Sequence, residues 1–131
     1  MSSPESILIV EDHAATRTAV ITLLQQAFPH SRVLSADCAE AAFALCELTA
    51  PALVIMDIGL PGMNGVEATR RLKQQFAATR VVMLTHSDMD VFRHGAAAAG
   101  ASAFVSKQQV HAQLIDVLHS LLAGGAAGQP A

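Results

Sequence analysis

Five side chains with useful chemistry stand at the ends of short apolar runs. Glu11 and Asp12 follow residues 6–10 (SILIV), Asp57 follows residues 53–56 (LVIM), Thr85 follows residues 80–84 (RVVML) and Lys107 follows residues 103–106 (AFVS). Three carboxylates brought to one spot repel one another, and the usual remedies are a shared proton or a hard cation. A divalent cation fits best, because magnesium takes oxygen ligands, keeps several waters and is commonly held by one or two carboxylates together with phosphate oxygens. A hydroxyl at Thr85 and an ammonium at Lys107 would then bind the remaining oxygens of a phosphoryl group, the first by a hydrogen bond and the second as a point charge. An aspartate can itself attack phosphorus and form an acyl phosphate. Asp57, followed by the glycine- and proline-rich segment IGLPGMNG at 58–65, is the exposed candidate for that role.

These groups can cooperate only if the chain brings the ends of its apolar runs together, and the pattern of elements supplies a way. Strand-length apolar runs alternate with longer amphipathic stretches five times. In residues 13–27, Val20, Leu23, Leu24 and Ala27 fall at helical spacing, and Pro29 closes the element. Residues 32–36 read as a second strand, and Asp37 with Glu40 predicts a capping box for a helix over 38–48 with Ala39, Ala42, Phe43 and Cys46 inward. Residues 53–56 are apolar at every position, as in a parallel strand covered on both faces. Asn64 and Glu67 can cap a third helix reaching about residue 76, and Ser87 with Asp90 a fourth that ends at Gly100. A last helix over 110–123 carries Leu114, Val117, Leu118 and Leu121 on one face, and 124–131 (GGAAGQPA) has the composition of a linker. Five strand-helix units predict a doubly wound α/β fold of the flavodoxin-like (βα)5 kind, a five-stranded parallel sheet with helices on both faces. In such folds ligands bind beyond the carboxyl ends of the strands, where the five side chains lie.

Composition narrows the function further. The 131 residues are 52% hydrophobic and 15% charged, which excludes disorder for the body of the chain, and one domain over 1–123 is expected. A net charge of −3 and 4% aromatic residues leave neither a basic footprint for a phosphate backbone nor stacking platforms for single strands. The chain shows no apolar run of roughly 18 residues and its first residues lack a signal-peptide order, so a cytoplasmic location is expected. Cys38 and Cys46 on one helix would stand about 12 Å apart along its axis, out of disulfide reach, and free thiols suit a reducing compartment.

With Glu11-Asp12 closing the first strand, Asp57 the third within MDIGLPGMNG, Thr85 the fourth and Lys107 the fifth within GASAFVSK, the sequence resembles the receiver domain of two-component response regulators, most closely those of the NarL/LuxR type. The likeness spans residues 6 to about 123 and rests on five separated positions matching in order. It implies that Asp57 accepts phosphate from a sensor histidine kinase or a phosphotransfer protein. It further implies that Glu11, Asp12, Asp57 and the backbone carbonyl of Gly59 hold Mg2+, that Thr85 is the switch hydroxyl, Lys107 the phosphate-binding lysine and Phe104 the switch aromatic. Receivers of this kind signal through the face made by the fourth helix, fifth strand and fifth helix, can form a homodimer on phosphorylation, and are switches more than metabolic enzymes. DNA would be reached only through a C-terminal helix-turn-helix domain absent from these residues; the alternative is a stand-alone receiver in a phosphorelay. Two residues depart from the family pattern: Gln108 follows the lysine where proline is common, and His86 follows the switch hydroxyl where a small residue is common. The bulk of His86 is expected to narrow access to the acyl phosphate.

Other readings carry less. Gly59, Gly62 and Gly65 lack the spacing of a dinucleotide loop and are sufficiently explained by turn geometry. A haloacid-dehalogenase-like phosphohydrolase also uses an aspartate nucleophile, but it needs a second acid two residues on, where Gly59 stands, and a cap segment. The six histidines are scattered and read as surface residues, while Arg70, Arg71 and Lys73 read as a solvated basic face. The alanine-rich fourth helix offers little packing volume and is the one expected to move on phosphorylation.

Overall fold

A computed structural model describes residues 5–85 and 97–127, with side chains through Leu122. Strands β1 (Ser6–Val10), β2 (Arg32–Ala36), β3 (Leu53–Asp57), β4 (Arg80–Thr85) and β5 (Ala103–Ser106) form one parallel sheet in the order β2-β1-β3-β4-β5. Helices α1 (Ala14–Ala27), α2 (Ala39–Thr49) and α3 (Gly65–Gln75) connect the first four strands, and a terminal helix (Ile115–Ala127) follows β5. This is the flavodoxin-like strand order expected from the sequence.

The alternation of side chains explains why the runs are apolar throughout. Leu8, Val10, Val54, Met56, Val81 and Met83 point to one face and pack with Ala39, Ala42 and Cys46 of α2 and Ala68 and Leu72 of α3. Ile7, Ile9, Leu53, Ile55, Val82, Leu84 and Val105 point to the other, against Val20 and Leu24 of α1 and Leu114 and Leu118 near the terminus. Both faces are covered, so neither needs a polar residue. The edge strand β2 is the exception, with Arg32 and Ser35 exposed.

Several local expectations hold and several do not. Asn64 caps α3, its side-chain oxygen accepting from the Glu67 N–H at 3.0 Å. The box at Asp37 does not form, because the N-cap position is taken by Cys38, which makes no side-chain cap bond, and Asp37 lies one residue outside it. The last helix does not begin as a plain α-helix at residue 110: a 3-10 turn (Lys107–Gln109) and a π turn (Val110–Leu114) precede it. It also continues to Ala127, through the first half of the segment read as a linker. Extending a formed helix is far easier than starting one, so Gly124 and Gly125, poor helix formers themselves, are carried along between Ala123 and Ala126. Lys73 is not part of the solvated face. Its Nζ donates to the carbonyls of Ala77 and Thr79, both at 2.7 Å, while Arg70 and Arg71 are exposed and pair with Glu67. Burial, and Arg80 beside it, pull the Lys73 ammonium below its ordinary pKa. Residues 97–99 are helical, and the rest of the expected fourth helix, together with His86, lies outside the described residues. Both cysteines are free, Cys46 buried and Cys38 half-buried. Among the described residues no helix is long and apolar enough to cross a membrane.

Candidate functional site

β1 is flanked by β2 on one side and β3 on the other, so the connections leaving β1 and β3 diverge and open a crevice beyond their carboxyl ends. The sequence-predicted acids occupy it. One carboxylate oxygen from each of Glu11, Asp12 and Asp57 can be chosen so that all lie within 4.8 Å of one another. Glu11 is fully buried, Asp57 is 2% exposed and Asp12 is exposed. The exposed position expected for Asp57 is thus corrected, because Asp57 is the last residue of β3 rather than the first of the loop.

Glu11 and Asp57 are each held by backbone as well as by charge. The Glu11 N–H donates to the Ala36 carbonyl at 3.0 Å, its Oε2 accepts from the His13 N–H at 3.1 Å, and its carbonyl accepts from the Arg17 guanidinium at 2.8 Å. Asp57 Oδ1 accepts from the Gly59 N–H at 3.0 Å. Lys107 comes in from the edge strand β5, past β4, with its Nζ 2.8 Å from Glu11 Oε1 and 3.3 Å from Asp57 Oδ2. Thr85 is buried at the end of β4, one residue beyond Leu84, the register partner of Asp57. Phe104 is half-buried on β5 opposite Met83 and packs on the α2/α3 side of the sheet.

The electrostatics of this arrangement are incomplete. Of the three carboxylates, Glu11 and Asp57 share the Lys107 ammonium, and Glu11 Oε1 is buried without an aligned hydrogen bond, reached by Lys107 only as an ion pair. A buried anionic oxygen with spare acceptor capacity beside two further carboxylates is a donor set for a hard divalent cation.

Residues 7–119 match the family described as the response regulator receiver domain. The chain belongs to that family. The receiver is 36% identical over 121 residues to the transcriptional activator protein ExaE of Pseudomonas putida, covering 92% of this chain and 56% of that protein. It is 31% identical over 121 residues to the nitrate/nitrite response regulator protein NarL of Escherichia coli, with 92% and 56% covered. Among solved structures, a LuxR-family two-component response regulator from Aurantimonas sp. superposes with a TM-score of 0.85 at 34% identity, covering 93% of this chain and 87% of that one. The receiver spans about half the length of the curated relatives it matches, 56% for each of those two.

Three residues of the receiver's site were not legible as such in the sequence. Gly65, read as turn geometry, is the first residue of α3 and lies so close to β3 that a Cβ there would stand 2.2 Å from the Asp57 carbonyl oxygen. Arg17 has no motif around it; its role appears only when α1 folds back over the carbonyl of Glu11. Ser106 caps the 3-10 turn that contains Lys107, its hydroxyl oxygen accepting from the Gln108 N–H at 3.2 Å. Only the last carried a signal, a serine directly before the lysine.

Proposed function

We propose that this receiver is a phosphoryl acceptor that takes its phosphoryl group on Asp57 from a phosphohistidine of a sensor histidine kinase or phosphotransfer protein. The observation that carries this reading is the convergence of Glu11, Asp12 and Asp57 on one spot with the Lys107 ammonium laid between Glu11 and Asp57. An Asp57 carboxylate oxygen attacks phosphorus, the bond from phosphorus to the donor imidazole nitrogen breaks, and that nitrogen leaves with a proton. The Gly59 N–H fixes the rotation of the Asp57 carboxylate by holding Oδ1. Glu11, Asp12 and Asp57, with the carbonyl of Gly59, would hold Mg2+, which neutralises charge on the phosphoryl oxygens when bound. Lys107 supplies the fixed positive charge on the other side, and in the phosphorylated state its ammonium moves from Asp57 to a phosphoryl oxygen. Thr85 donates its hydroxyl proton to another, and Phe104 follows Thr85 inward as the switch aromatic.

The readout is the face of the fourth helix, β5 and the terminal helix, and the output is transcription through a DNA-binding domain in the part of the protein that the receiver's relatives have beyond it. Residues 1–123 form the phosphoacceptor domain, and phosphorylation favours a homodimer. A net charge of −3 supports this division, since binding to a phosphate backbone rests on an excess of basic residues. Incubation with acetyl phosphate, followed by intact mass, tests the reading. Gain of one phosphoryl group in Mg2+, lost on treatment with hydroxylamine and prevented by a chelator, is the expected result; no gain in Mg2+ would overturn it.

A further inference from the structure

Lys107 has a demanding task. It starts just after the edge strand and must deliver its ammonium to carboxylates on β3 and after β1, the strands third and fourth from that edge. Four flexible methylene groups lie between its backbone and its charge, so a small change in backbone direction is a large change at Nζ. Three residues later Val110 is buried, followed at spacings of four by Leu114 and Leu118, both fully buried. The chain therefore has to aim Lys107 one way and seat Val110 the other within a single turn. The pitch changes accordingly, from a 3-10 turn at Lys107–Gln109 to a π turn at Val110–Leu114 and then to an α-helix. Such changes of pitch mark strain or function more often than chance.

We propose that Ser106 is a positioning residue for Lys107, acting through the bond its hydroxyl oxygen accepts from the Gln108 N–H. The inference rests on the phosphoryl-acceptor reading above. The bond spans Lys107, so it closes the backbone on either side of that residue and fixes the direction in which its side chain leaves. Ser106 itself is held at an extended φ of −67° and ψ of 139°, in register with Thr85 on β4, so the anchor of the bond is part of the sheet. Residue 108 must also carry an N–H, which Gln108 does and proline would not. In this chain a serine hydroxyl and a main-chain donor perform the fixing that a ring would otherwise impose.

The test is the rate at which Mg2+ and acetyl phosphate phosphorylate four forms of the full chain: wild type, Ser106→Ala, Ser106→Thr, and Ser106→Ala in a Lys107→Met background. Loss of one hydrogen bond predicts about a fivefold slower reaction for Ser106→Ala. Ser106→Thr, which keeps the hydroxyl, restores the wild-type rate. In the Lys107→Met background Ser106→Ala has no further effect, a result that a merely structural role for Ser106 would not give. Amide exchange at Gln108 is faster in Ser106→Ala than in wild type. A wild-type chain that gains no phosphoryl group overturns the phosphoryl-acceptor reading and this inference with it. A wild-type chain that is phosphorylated while Ser106→Ala matches its rate, or an equal slowing by Ser106→Ala with and without Lys107, overturns this inference alone.

Discussion

Adding one methyl group at Gly65 should move Asp57. The built Cβ meets the Asp57 carbonyl oxygen at 2.2 Å, the Ile58 Cα at 2.8 Å and the Asp57 carbonyl carbon at 2.9 Å, and all three are backbone atoms that no rotamer change can clear. Cβ contacts below 3.0 Å are essentially never seen, so the end of β3 and the start of α3 must part by at least 0.8 Å, the gap between 2.2 and 3.0 Å. The Gly65 N–H to Ile58 carbonyl bond, 2.9 Å long, spans the same gap and would lengthen with it. Overpacking of this kind costs about 1–3 kcal/mol, and here the upper end applies because the neighbours are main chain. For a domain of this size that lowers the melting temperature by roughly 10 °C. A misplacement near 1 Å can slow a positioned reaction by about a hundredfold, so Gly65→Ala should be phosphorylated by acetyl phosphate some ten- to a hundredfold more slowly, by the same rule scaled roughly to the smaller shift. Gly62→Ala is the contrast. Gly62 has a φ of +73° and nothing within 4 Å of a built Cβ, so alanine there incurs only the left-handed strain of about 1–2 kcal/mol and leaves the rate unchanged. Thermal melts and intact-mass time courses of the two variants decide the matter. Wild-type melting and wild-type rate in Gly65→Ala would refute the reasoning, as would an equal loss of rate in both variants.

Two further outcomes follow from the same geometry. Lys107→Met removes the cation that Glu11 and Asp57 share and leaves buried carboxylates unpaired, so stability should fall by about 3 kcal/mol without metal, and added Mg2+ should raise the melting temperature more in this variant than in wild type; an equal metal shift in the two would contradict it. Burial pushes the Cys46 thiol from 9.0 up to about 11. The folded state therefore favours the neutral thiol: its contribution is complete below pH 9, and it is lost as pH rises from 9 through about 11, where only the unfolded chain ionises freely. Urea midpoints should drop more steeply over that interval in wild type than in Cys46→Ala, and identical slopes would count against the assignment.

The acids, the threonine and the lysine were legible because each breaks or ends an apolar run, and a buried parallel strand tolerates such a break only at its end. The strand order then brings the ends together, a step that periodicity alone does not encode but the alternation of five units constrains. Gly65 was not legible because its importance is a distance between α3 and β3, and its sequence context reads equally well as a turn. Asp37 looked like a cap because the motif is local, yet the helix starts one residue later and the cap falls to Cys38. The stem of Lys73 covers Gly100, which holds a φ of +110°, a contact between segments far apart in the chain that no charge pattern could announce. The 3-10 and π turns after β5 were hidden for a related reason: they result from two anchors, Lys107 in the site and Val110 in the core, pulling on one short stretch.

The most direct measurement is the position of the phosphoryl group. After phosphorylation in Mg2+, reduction with borohydride converts an aspartyl phosphate to homoserine, and peptide sequencing by mass spectrometry reads which aspartate has changed. The account predicts homoserine at Asp57, with Asp12 intact and no conversion in Asp57→Asn. Homoserine at Asp12, or full conversion elsewhere when Asp57 is replaced, would contradict it.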